Sequence, residues 1–166
     1  MMQTSEDIQE LLTKLESSDG VERQEARELL VKIGSPVVPL LMEMLSRSTY
    51  WGRWEIVKTL NEIHAPSSAP VLVKALEDDN DGIRWLAAEG LSKIGRAALR
   101  PLMQALTRRA DSIWLREGAH HVLHDMQKEE LLHEQELKVY HALYDGAPDI
   151  EVPWIAEAAL KGLAKE

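Results

Sequence analysis

The sequence predicts an all-α solenoid, a single domain over residues 1–166 built of five helical hairpins and about ten helices. Three observations lead there. Helix formers dominate while Phe is absent and aromatic residues make up only 5% of the chain, a balance that favours helix over sheet. One unit recurs at a spacing of roughly thirty residues, the mark of a repeat architecture. A residue of helix-capping type stands at the same place before every copy.

Each unit has an anchor followed by apolar residues at +3, +7 and +10, which share one face of a helix. Arg23 leads to Ala26, Leu30 and Ile33; Arg53 to Ile56, Leu60 and Ile63; Arg84 to Ala87, Leu91 and Ile94. Arg116 leads to Ala119, Leu123 and Met126, and Pro153 to Ala156, Leu160 and Leu163. Successive anchors are 30, 31, 32 and 37 residues apart. Four residues upstream stand Asp19, Thr49, Asn80, Ser112 and Asp149, whose side-chain oxygens suit the orphan N–H groups of a first helical turn.

The hairpins fall at approximately 5–34, 35–64, 65–95, 96–127 and 128–166. In the first, Ile8, Leu11 and Leu15 mark the outer helix, and Gly34 ends the capped helix as a C′ residue does. The second opens on Pro36 and Pro39, where a missing N–H costs little, and carries Val38, Leu41 and Leu45. The third repeats this with Pro66, Pro70, Leu72 and Leu76, and Gly95 closes it. Pro101 opens the fourth, with Leu99, Leu102 and Leu106. In the fifth, roughly six extra residues near Lys128–Glu136 are expected to lengthen an outer helix bearing Val139 and Leu143. Tyr144 to Pro148 then turn into the last helix.

These units, D-x-x-V-E-R-x-x-A-x-x-x-L-x-x-I-G from Asp19 and N-D-G-I-R-x-x-A-x-x-x-L-x-x-I-G from Asn80, resemble HEAT repeats. They are similar to the short bacterial kind first named for phycobilisome lyase subunits. The resemblance covers nearly the whole chain and implies a right-handed α-α superhelix with the capped helices lining its concave side. It is nearly silent on function, since such repeats serve many roles.

At 100° per residue, the positions opposite the apolar face are −2, +1, +5 and +8. All five tryptophans fall there: Trp54, Trp85 and Trp154 at +1, Trp51 and Trp114 at −2. One indole covers roughly 150–250 Å², so several in neighbouring hairpins would exceed the apolar patch a monomer ordinarily exposes. Two readings follow: the rings anchor a partner in a groove, or they cover the seams between repeats. Lys58, Glu89, Glu117 and His121 share the outward arc as polar orienters of a partner protein or peptide. Glu117, His121 and His124 have a spacing compatible with metal ligation, but solvated histidines on a helix face are common, and no metal or other cofactor is expected. The anchor arginines are expected to make ion pairs or carbonyl contacts between stacked repeats. Asp79, Asn80 and Asp81 are expected to be caps and inter-repeat partners. The basic run from Lys93 to Arg109 is expected to be a solvated edge.

Composition narrows the function further. A net charge of −9 argues against nucleic acid, whose binding rests on phosphate neutralisation. The chain has no Cys, no basic n-region behind Met1 and no apolar run near membrane-spanning length; a cytoplasmic protein is the expectation. Deoxyhypusine hydroxylases, which share the repeat, place His-Glu pairs directly after the repeat arginine, and here Gln24-Glu25, Trp54-Glu55, Trp85-Leu86 and Glu117-Gly118 stand instead. HEAT-like alkylpurine DNA glycosylases need a basic groove that this chain lacks. A bilin lyase or isomerase-like subunit, its chromophore stacked on Trp near His121, is the enzymatic alternative. The expectation is a non-enzymatic scaffold that binds a protein segment on its concave face.

Overall fold

The computed structural model describes residues 5–164. Five helix pairs follow one another: α1 (Ser5–Lys14) with α2 (Gly20–Ile33), α3 (Val38–Leu45) with α4 (Tyr50–Ile63), and α5 (Ala69–Ala75) with α6 (Asp81–Ile94). Then come α7 (Leu99–Arg109) with α8 (Ile113–Lys128), and α9 (Glu134–Ala142) with α10 (Pro148–Leu163). No strand occurs among the described residues. Short 3-10 turns at Ser35–Val37, Pro66–Ser68 and Gly95–Ala98 lead into α3, α5 and α7.

Four caps act as their spacing implies. Asp19 accepts from Val21 N–H, Thr49 from Gly52, Asn80 from Ile83 and Ser112 from Leu115, which satisfies donors that the first turn leaves orphaned. Gly34 and Gly95 end α2 and α6 at φ 76° and 70°, in the region that a Cβ disfavours. At the same point after α4, His64 adopts a left-handed conformation at φ 40°. The repeat anchors pin each hairpin internally: Arg23, Arg84 and Arg116 each donate Nη1 to the carbonyl six residues upstream, on Ser17, Asp78 and Ala110. Arg53 instead reaches the next hairpin, with Nε 2.9 Å from Asp78 and Nη2 2.7 Å from Asp79. Burial works against the Asp78 carboxylate, but the Arg53 contact and the Asn80 N–H outweigh it and hold its pKa below the usual range.

The periodic residues make one continuous core. Leu30, Leu41, Leu60, Leu72, Leu91, Leu102 and Leu123 are fully enclosed, each contributing about 1.5–3 kcal/mol relative to exposure. One stretch of it is ionic. Arg27 of α2 places Nη1 2.7 Å from Glu55 of α4, Arg23 lies 3.7 Å from the same carboxylate, and Arg27 Nε is 3.3 Å from Glu62. Arg23, Arg27 and Glu55 are all buried. The basic run is likewise structural rather than a loose edge. Lys93 holds Asn61, Arg96 donates to the Leu131 carbonyl, Arg100 to the Leu163 carbonyl, and Arg109 pairs with Glu77.

The fifth pair departs from expectation. The capped helices stack in succession, α2 on α4, α4 on α6 and α6 on α8, but α10 packs chiefly on α7 and α9, while α9 lies against α8. The order of the two helices is thus exchanged relative to the preceding pairs. The extra residues do not lengthen α9; they extend α8 to Lys128 and form a turn in which Glu130 takes φ 57°. Arg96 ties that turn down through the Leu131 carbonyl and sits 3.9 Å from the buried Glu136, which itself accepts from the His133 N–H at the start of α9. The expected cap Asp149 lies inside the first turn of α10; Ala147 occupies the cap position and offers no side-chain acceptor.

Candidate interaction surface

The outward faces of α2, α4, α6 and α8 form a ridge, since each of these helices packs on the next. Trp51, Trp85 and Trp114 stand on it, with exposures of 52%, 56% and 44%. Two of the rings are held by arginines of the preceding hairpin: the Arg23 guanidinium lies 4.8 Å from the Trp51 ring centre and Arg84 4.6 Å from that of Trp114. In both pairs the arginine is a repeat anchor and the tryptophan stands two residues before the next anchor. Before Arg84 that place is taken by Gly82, and Trp54 of α4 fills the gap. A Cβ at Gly82 would stand 2.5 Å from the Trp54 ring.

Trp54 is therefore half-buried and packed on the core at the α4–α6 seam, a correction to its expected place on the open surface. Trp154 is 73% exposed but rides on α10, whose exchanged position removes it from the ridge. The two readings of the tryptophans thus divide residue by residue.

Trp85 and Trp114 line one cleft of about 270 Å³ between α6 and α8. Asp81, Arg84, Glu117 and His121 form its polar rim, and the small residues Ala88 and Gly118 leave the space. His121 is a positioned wall: its ring centre is 4.6 Å from that of Trp85, and its Nε2 is 3.4 Å from Asp125. Asp125 in turn accepts from the Ser92 hydroxyl at 3.2 Å. Glu89 faces a second, more polar cleft of about 490 Å³ with His64, Ser92, Lys93, Asp125, Lys128 and Glu129. Lys58 is half-buried on α4 and lines neither cleft.

The candidate metal ligands do not converge. His124 turns toward α9, its Nδ1 2.9 Å from the Tyr140 hydroxyl. Among the described residues no group of three His, Cys, Asp or Glu side chains is placed to hold an ion. The histidines build an aromatic joint between α8 and α9 instead. His120 stacks on Tyr140 with ring centres 4.8 Å apart and meets Tyr144 edge-on at 4.3 Å. Burial, then the neighbouring His124 and His121 charges, push the His120 pKa below its ordinary 6.5. The unfolded chain therefore binds this proton first as pH falls. The stability it contributes is present above about pH 6.5 and is lost below it. Melting temperature should fall more steeply between pH 7 and pH 5 in the wild type than in a His120→Phe variant; equal slopes would remove His120 as the cause.

Residues that the repeat pattern did not single out complete the picture. The ion-paired Arg27 and Glu55, and Tyr140 and Tyr144 against His120, each act across hairpins, where one helix's angles say nothing of the neighbour's. The spacing of Arg84 and Trp114, two residues short of one repeat, was the available signal for the guanidinium–indole pairs.

No helix of the described residues is long and apolar enough to cross a membrane. A family model described as HEAT repeats matches residues 8–92 and again 39–124, most of the chain. No curated protein matches.

Proposed function

Because the chain belongs to the HEAT-repeat family, we propose that it is a non-enzymatic interaction module that holds a segment of a partner protein on its ridge of stacked helices. HEAT repeats commonly serve as protein-interaction scaffolds, and the ridge would be the concave face of this one. The observation that carries the reading is the cleft between α6 and α8, where two half-exposed indoles stand together over small residues. Tryptophan is the residue type most enriched at binding hot spots, and a rim of polar groups around an apolar centre is the usual anatomy of an interface. Glu117 and His121 would orient the bound segment, and Trp51 would give a second anchor further along.

Exposure makes the test selective. A Trp85→Ala, Trp114→Ala double variant should abolish binding of peptides selected from a random library on the full chain. Each substitution should cost little stability, about 0.5–1 kcal/mol where an arginine contact is lost. The wild-type tryptophan emission should be quenched by acrylamide and protected by the bound peptide. Selected peptides that bind the double variant as well as the wild type would place the site elsewhere.

A further inference from the structure

Trp85 is the half-exposed indole of the ridge that no guanidinium of this chain covers, among the described residues. Trp51 carries Arg23 and Trp114 carries Arg84, while Trp54 is closed into a seam. Its surroundings are acidic. Asp81 and Glu89 stand four residues to either side of it on α6, one turn away on the same helix face. Glu117 lines the same cleft from α8. None of the three is in an ion pair among the described residues; Asp81 accepts only from the adjacent Gly82 N–H and Glu89 only from Asn61. The cation of this cleft, Arg84, is already engaged with the Trp114 ring and the Asp78 carbonyl.

Resting on the interaction-module reading, we infer that Trp85 takes a cationic side chain of the partner segment, an arginine in preference to a lysine. An indole face attracts a cation through its quadrupole. A planar guanidinium can stack on that face while its in-plane N–H groups reach carboxylates at the ring edge, which a lysine ammonium does less well. The chain itself builds this contact twice on the ridge, at Trp51 and Trp114, and leaves it unfilled at Trp85. Asp81 and Glu117 against Arg84 give the cleft a net charge of −1, within a chain of net −9, so that a basic segment is also drawn in from a distance.

The probe is a random peptide library selected on the full chain, with the enriched peptides then measured by fluorescence anisotropy. The expected consensus holds one arginine beside an apolar residue. Replacing that arginine with citrulline, which keeps the shape and removes the charge, should weaken binding about 5–30-fold, and lysine should lose less than citrulline. Glu117→Gln, an exposed and conservative change, should weaken the arginine peptide several-fold and the citrulline peptide distinctly less. Peptides that lose binding in Trp85→Ala but carry no basic residue, or bind equally as citrulline forms, would overturn the inference and leave the interaction module standing. A selection in which no peptide depends on Trp85 or Trp114 would overturn both.

Discussion

Replacing Glu55 with alanine is expected to lower stability by about 3–5 kcal/mol, as breaking a buried ion pair by removing one partner does. Glu55 is the buried carboxylate that faces both Arg23 and Arg27, and all three groups are shielded from water. Without it, Arg27 keeps only the partly exposed Glu62, and Arg23 keeps the Ser17 carbonyl and the Trp51 face. The Nε groups of both arginines already lack hydrogen-bond geometry, so nothing within the seam compensates. Chemical denaturation should register the loss as a lower midpoint. Combining Arg27→Met with Glu55→Leu should recover part of it, because an apolar pair of similar volume avoids desolvating those two charges while Arg23 keeps the Ser17 carbonyl. A Glu55→Ala variant within 1 kcal/mol of wild type would mean that water reaches the seam.

This ionic seam marks the limit of what the periodicity reveals. The apolar positions +3, +7 and +10 point at the core whichever hairpin they belong to, and four caps serve first turns that begin alike. Those features are local to one helix and were legible in full. Arg27 stands at +4, on the margin of the apolar face, and only the neighbouring hairpin decides whether that margin meets Glu55 or a small residue such as Ala88 or Gly118. The fifth hairpin failed for the same reason. Its apolar spacing +3, +7 and +10 is regular, but the turn after α8 and its tie to Arg96 redirect the chain, so that α10 meets α7 instead of α8. Trp154 was placed correctly on its own helix and wrongly in the molecule. At the α6–α8 cleft, by contrast, Trp85, Trp114, Glu117 and His121 came together as their angles implied, because those two helices follow the regular stacking.

The second large effect is expected at Trp54, and it separates the tryptophans into two kinds. Trp54 sits at +1, the same register as Trp85, yet Gly82 opposite it lets its ring enter the α4–α6 seam. Truncating it removes one of the bulkiest side chains from a contact with the core and opens a cavity that backbone on both sides holds apart. Trp54→Ala should therefore behave as a core truncation and cost about 3–5 kcal/mol. Trp85→Ala, on an open face, should cost under about 1 kcal/mol. Filling the gap from the other side should be costly too: Gly82→Ala places a methyl group against the ring and should destabilise by about 1–3 kcal/mol, as overpacking does. Combining Gly82→Ala with Trp54→Leu should cost less than the sum of the single changes, because the two residues contest one space. Should Trp54→Ala instead prove as mild as Trp85→Ala, with its fluorescence equally open to acrylamide, Trp54 would join Trp51, Trp85 and Trp114 as a fourth anchor, and the ridge would carry an unbroken line of indoles from α4 to α8.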